Sequence, residues 1–135
     1  VGLPLTEAQL RQMHRLKTGA LLLCSVQMGA VCAGKPSTLV MDALSQYAQC
    51  LGLAFQVVDD ILDVTSDSAT LGKTAGKDAA ADKPTYVSLL GLAKAQELAE
   101  QLHEESLAAL NASGLSATAT AALRALASQV VERKN

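Results

Sequence analysis

Three carboxylates crowd the stretch Phe55-Gln56-Val57-Val58-Asp59-Asp60-Ile61-Leu62-Asp63. On an ideal helix each residue advances about 100°. With Asp59 at zero, Asp63 falls at roughly 40°, Gln56 at roughly 60° and Asp60 at roughly 100°. The four side chains share one face, and Ser45, Gln49 and Gly52 continue that stripe toward the N-terminus. Leu53, Ala54, Val57, Val58, Ile61, Leu62 and Val64 cover much of the rest. A helix that is apolar nearly all round is buried in a bundle, so the acids are expected to face a cleft.

Local forces oppose this grouping. Asp is a mediocre helix former, and like charges at i, i+3 and i, i+4 repel by a few tenths of a kcal/mol. The acids also sit near the negative end of the helix dipole, at about 0.3–1 kcal/mol each. A site that breaks local rules is a candidate functional site. The usual relief is a hard divalent cation such as Mg2+, shared by carboxylate oxygens and substrate phosphates. The competing reading is an acidic, solvated helix end.

Other residues suit an anionic substrate. Lys17-Thr18 lies mid-helix beside Gly19, and residues 66–84 carry Lys73, Lys77 and Lys83 soon after the acids. Lys17 alone would read as a surface lysine. Two false motifs are rejected. Gly72-Lys73-Thr74 lacks the earlier glycine and preceding strand of a P-loop, since Asp67 stands where that glycine belongs. Asp63-Thr65-Asp67 has Ser68 and Thr74 where a calcium loop needs Gly and Glu.

The runs FQVVDDILDVTSD and LGKTAGKD, with MHRLKTGALL upstream, resemble the second aspartate-rich motif and flanking lysines of the trans-type polyprenyl diphosphate synthases. The bacterial farnesyl diphosphate synthases (geranyltranstransferases) are the most similar branch. The resemblance runs from residue 13 to the C-terminus. It implies an isoprenoid-synthase-type helical bundle, with residues 1–135 as the C-terminal portion of one domain. The first aspartate-rich motif of that family is absent, since the chain holds one Asp-Asp-x-x-Asp.

The resemblance also implies roles. Asp59, Asp60 and Asp63 would hold Mg2+. Lys17 and Lys73 would bind diphosphate, with Lys83 matching a second family lysine. Thr18 and Gln56 would lie near a developing carbocation. Asp78 matches a structural or outer-sphere acid of the same loop; Lys77 has no counterpart. The implied reaction is prenyl transfer: an allylic diphosphate (dimethylallyl or geranyl) ionises with Mg2+ assistance. Isopentenyl diphosphate then attacks and a proton is lost, giving a short-chain product such as farnesyl diphosphate. Product length is set near the absent motif and is not legible here. A homodimer is implied, and the chain alone is expected to be inactive. A class I terpene cyclase shares the metal logic, but the lysine loop favours the synthase. A non-catalytic subunit of a heteromeric synthase is expected to lose its Asp residues, and these are intact.

Composition fits this picture. Half the 135 residues are hydrophobic but only 2% are aromatic, which suits packed Ala- and Leu-rich helices in one domain. A net charge of −2 suggests neither nucleic acid nor an anionic membrane surface. No run reaches the roughly 18 apolar residues of a membrane span. With no basic-then-apolar leader, the expected location is the cytoplasm. Cys24, Cys32 and Cys50 sit in apolar helical surroundings and are expected to be buried free thiols.

The elements that position these residues are all expected to be helices. The first starts at a Thr6–Gln9 capping box, carries Leu10, Met13, Leu16, Ala20, Leu21, Cys24 and Met28 at helical spacing, and stops at Gly34 and Pro36. The second runs from Pro36 or Ser37 to about Thr65, with Pro36 in its first turn. Gly29 and Gly52 are expected to permit close helix approach. Residues 66–84 read as a loop with few apolar anchors that closes over diphosphate. Thr85 caps a third segment that breaks near Gly91 and runs to Asn111. A fourth runs from Ser116 to about Arg133, burying Leu123, Leu126, Val130 and Val131, with Arg133 suiting its negative end. Glu97, Glu100, Glu104 and Glu105 read as a solvated face. His14 and His103 read as core or surface histidines.

Overall fold

The computed structural model describes residues 5–65 and 84–134. Among these 86% are helical and none lies in a strand, so the all-α expectation holds. Thr6 caps α1 (Glu7–His14): its hydroxyl accepts from the Gln9 N–H at 3.2 Å, and Gln9 Oε1 accepts from the Thr6 N–H at 2.9 Å. The chain then departs from the single regular helix expected. Arg15–Gly19 forms a π-helical turn before α2 (Ala20–Cys32) continues.

A π turn adds backbone to one turn and rotates everything that follows. The apolar stripe read at regular spacing therefore does not bury as a unit. Leu10 is fully buried, whereas Leu16, Leu21 and Met28 are 61–70% exposed. No residue of α2 is buried.

Ser37, not Pro36, opens α3 (Thr38–Thr65), its hydroxyl accepting from the Val40 N–H at 3.2 Å. At about 1.5 Å per residue this helix is roughly 42 Å long. Thr85 caps the short α4 (Tyr86–Leu90) in a capping box with Ser88. Gly91, at φ +86°, breaks the chain before α5 (Leu92–Ala112), a backbone that L residues adopt at a cost. Ser116 caps α6 (Ala117–Glu132) through the Ala119 N–H.

Helix α3 is the axis of the fold. Among the described residues it touches every other helical element and carries more buried residues than any of them. Its C-terminal half packs Ala54, Val57 and Val58 against Leu10, Tyr86, Leu98 and Leu102. Its N-terminal half packs Leu44, Tyr47 and Leu51 against Leu110 and Ala127. Each buried Leu or Val contributes about 1.5–3 kcal/mol. The Tyr47 hydroxyl donates to the Leu123 carbonyl at 2.7 Å, which satisfies a polar atom on a side chain that is fully buried.

Three further expectations change. Cys50 is buried, but Cys24 and Cys32 are exposed, because they ride on the uncovered α2. A Cβ on Gly52 would meet Leu22 Cδ1 at 3.3 Å and Gly19 Cα at 3.4 Å, as close approach requires, whereas one on Gly29 would meet nothing within 4 Å. On α6 the buried positions are Thr120 and Ala127, and Leu126 is exposed. Leu123, Val130 and Val131 are partly buried and pack against the two cores as expected, so of the bulky stripe Leu126 alone lies outside the inner face. Glu97, Glu100, Glu104 and Glu105 are exposed as expected, though Glu105 also lies 3.8 Å from the Cys50 thiol.

Candidate active site

The last turns of α3 carry the acids. Asp59 is the most open, its side chain 61% exposed. Arg133, following α6, stands 3.7 Å from its Oδ1. The same guanidinium donates to the Phe55 carbonyl at 2.9 Å and lies 4.2 Å from the Phe55 ring centre. So open an ion pair contributes about 0–1 kcal/mol. Arg133 Nε is buried without a hydrogen-bond partner.

Asp60 is engaged differently. Its Oδ2 accepts from the Tyr86 N–H, the first residue of α4, at 2.9 Å. The Tyr86 hydroxyl lies 3.1 Å from His14 Nδ1. Burial pushes the Tyr86 phenol up to about 12, so it keeps its proton at neutral pH. Burial, and then the Lys17 charge, lower His14 from its ordinary value. The shift favours the neutral imidazole, whose tautomer sets which of Nδ1 and the phenol donates in this bond.

Across the front of α3 the π turn carries Lys17 and Thr18. Gln56 Nε2 donates to Thr18 Oγ1 at 3.3 Å. Gly19 and Gly52 make that approach possible, since neither carries a Cβ between the two backbones. Lys17 is exposed on the same turn. π turns recur at functional sites because they re-aim side chains out of helical register.

The structure thus brings Thr18 together with Gln56 and sets Lys17 beside them, and it keeps Asp59 and Asp63 on one face of α3. Among the described residues no group of three or more His, Cys, Asp or Glu side chains converges as a metal cluster. The donor chemistry nevertheless fits Mg2+, which uses one or two carboxylates plus substrate phosphates. Asp59 and Asp63 are hard oxygen donors one turn apart, and neither is buried. Lys73, Lys77, Asp78 and Lys83 lie outside the described residues. The sequence singled out no role for Tyr86, gave Arg133 only a helix-end role and gave His14 a bland one. The one signal for Tyr86 was its place directly after the Thr85 cap. Arg133 carried no signal beyond its place at a helix end.

A model of the family described as polyprenyl synthetase matches residues 2–124. The chain belongs to this family. It is 44% identical over 124 residues to the farnesyl diphosphate synthase of Escherichia coli (strain K12), covering 92% of this chain and 42% of that protein. It is 49% identical over 123 residues to the chloroplastic geranylgeranyl pyrophosphate synthase of Capsicum annuum, covering 91% of this chain and 32% of that one. A crystal structure of a farnesyl-diphosphate synthase, itself named as putative, from Marinomonas sp. MED121 superposes with a TM-score of 0.77 at 37% identity. That match covers 95% of this chain and 41% of the other. A geranyltransferase from Helicobacter pylori, complexed with magnesium and isoprenyl diphosphate, superposes with a TM-score of 0.65 at 30% identity, covering 96% and 40%. The chain therefore spans about two fifths of the length of these solved relatives.

Proposed function

We propose that this family member serves a prenyltransferase that condenses isopentenyl diphosphate with an allylic diphosphate, and that residues 1–135 form its C-terminal, diphosphate-gripping portion. The observation that carries the reading is the seating of the Lys17–Thr18 turn on α3, with Thr18 bonded to Gln56 about one helical turn from Asp59 and two from Asp63. Mg2+ held at Asp59 and Asp63 supplies Lewis-acid neutralisation of the leaving diphosphate. Lys17 adds charge-assisted hydrogen bonds to that group. Lys73 and Lys83 are assigned the same task. Thr18 and Gln56 present oxygen dipoles to the allylic cation, and because the Gln56 amide nitrogen is spent on Thr18 its carbonyl oxygen is the end left for that role.

No side-chain nucleophile is required, because the double bond of isopentenyl diphosphate attacks. The product is a short-chain prenyl diphosphate such as farnesyl diphosphate; relatives named for farnesyl and for geranylgeranyl products are both similar to this chain. Among the described residues no helix is long and apolar enough to cross a membrane, and the cytoplasm is the location assigned. A homodimer belongs to the same reading; the exposed apolar side chains of α2 are of the kind an interface buries. Calorimetry with geranyl diphosphate tests the proposal. Binding is expected to need Mg2+ and to be lost in Asp59→Ala and weakened in Lys17→Ala. Binding indifferent to metal and to both substitutions would overturn it.

A further inference from the structure

We infer that Asp60 is a positioning carboxylate: through Tyr86 it ties α3 to α4 and to His14 at the end of α1, and it leaves the cation to Asp59 and Asp63. The part concerning the cation rests on the proposed function; the tie itself does not.

Tyr86 is fully buried, so each of its polar atoms needs a partner within the protein. The Thr85 hydroxyl serves the Ser88 N–H, so the local cap leaves the Tyr86 N–H to find another acceptor. Asp60 supplies it at 2.9 Å, across 26 residues of sequence. The phenol end of the same residue meets His14, with 3.1 Å between Oη and Nδ1 and 5.3 Å between ring centres. His14 is the last residue of α1 and adjoins the π turn that carries Lys17 and Thr18. One buried residue, through its backbone N–H and its phenol, therefore joins three elements, each bearing or adjoining a proposed active-site group. Asp60 acts at one remove from the substrate, by fixing where those elements stand.

The two roles open to Asp60 differ in what they require. A metal ligand needs the negative charge. A hydrogen-bond acceptor for an N–H needs only an oxygen, which Asn retains. The test uses the full chain in three forms, Asp60→Ala, Asp60→Asn and Asp59→Asn. Three quantities are measured: the melting temperature, the Tyr86 amide resonance, and Mn2+ affinity in the presence of inorganic pyrophosphate.

Asp60→Ala is expected to shift the Tyr86 amide resonance upfield and to lower Tm by about 4–8 °C. Asp60→Asn is expected to keep both near wild type and to keep the Mn2+ affinity. Asp59→Asn is expected to leave the amide and Tm alone while weakening Mn2+ by about tenfold or more. Tyr86→Phe keeps the N–H and should shift only the His14 ring signals. An unmoved Tyr86 amide in Asp60→Ala overturns the inference. So does an Asp60→Asn variant that loses Mn2+ as fully as Asp59→Asn does. Should the wild type bind no Mn2+ at all, the metal reading of the site falls, and the amide shift and melting temperature still decide whether Asp60 makes the tie.

Discussion

Asp59 and Cys50 show how differently two side chains of one helix are placed. Asp59 projects into solvent with a single long ion pair, so its removal should cost the fold little. Loss of one acid also relieves repulsion from Asp63. Asp59→Ala is therefore expected to melt within a few degrees of wild type. In an assembled, active enzyme it should lower kcat by about 10²–10³, the usual cost of one major electrostatic contact. A variant that melts lower yet turns over normally would favour the solvated-helix reading. Cys50 is buried, and desolvation followed by the nearby Glu105 pushes its thiol up to about 11. Thiolate is the reactive form. A maleimide is expected to label Cys24 and Cys32 in the native protein and Cys50 only after denaturation, which mass mapping will show.

At the scale of elements, the seat of the π turn on α3 is the feature most open to substitution. Gly52→Val would add three carbons where a Cβ alone would already stand 3.3 Å from Leu22 and 3.4 Å from Gly19. Overpacking of this kind costs about 1–3 kcal/mol. It would also part Thr18 from Gln56, so pyrophosphate binding should weaken along with stability. Gly29→Ala is the matched control. Its Cβ meets nothing within 4 Å, and Ala is favoured over Gly in a helix interior by about 1 kcal/mol. That variant is expected to melt at or above the wild-type temperature with binding unchanged. Equal behaviour of the two variants would show that the Gly19–Gly52 approach has no bearing on the site.

The molecule as a whole should be stable between two pH limits set by buried rings. His14 is lowered in the fold, so below its ordinary value of 6.5 the unfolded chain takes up a proton before the folded one does. Stability is then lost as pH falls from 6.5 toward the folded value, and the loss is constant below it. Tyr47 and Tyr86 are raised from 10 to about 12 by burial. Their contribution is complete below pH 10 and is lost as pH rises to about 12, at about 2–3 kcal/mol for each phenol. Urea midpoints across pH 5–12 should trace both edges, and Tyr86→Phe should soften the alkaline one. The 135-residue chain is also expected to bind diphosphate with Mg2+ without turning over, because it holds one Asp-Asp-x-x-Asp where the proposed reaction needs charge on two sides. Product formed by the purified chain would count against that division of labour.

What the sequence by itself determined was local or periodic. The caps at Thr6, Thr85 and Ser116 act within three residues, so a short window holds all their information. The buried course of α3 followed from apolar residues wrapped round a helical period, and the shared face of Asp59 and Asp63 from their spacing of four. Family membership was legible because the acidic and lysine motifs occur together in order. Tertiary structure decided the rest. The π turn at Arg15–Gly19 has no period of its own and meets α3 where Gly19 and Gly52 approach closely. The side of α2 that faces inward was unreadable because α2 is apolar all round, so Cys24, expected to be buried, and Met28, read on the apolar stripe, are both exposed. The partners of Asp60 and Phe55 stand 26 and 78 residues away, at Tyr86 and Arg133. Hydrogen bonds between residues so distant exist only once the helices have packed, because packing alone brings their donors and acceptors within 3 Å.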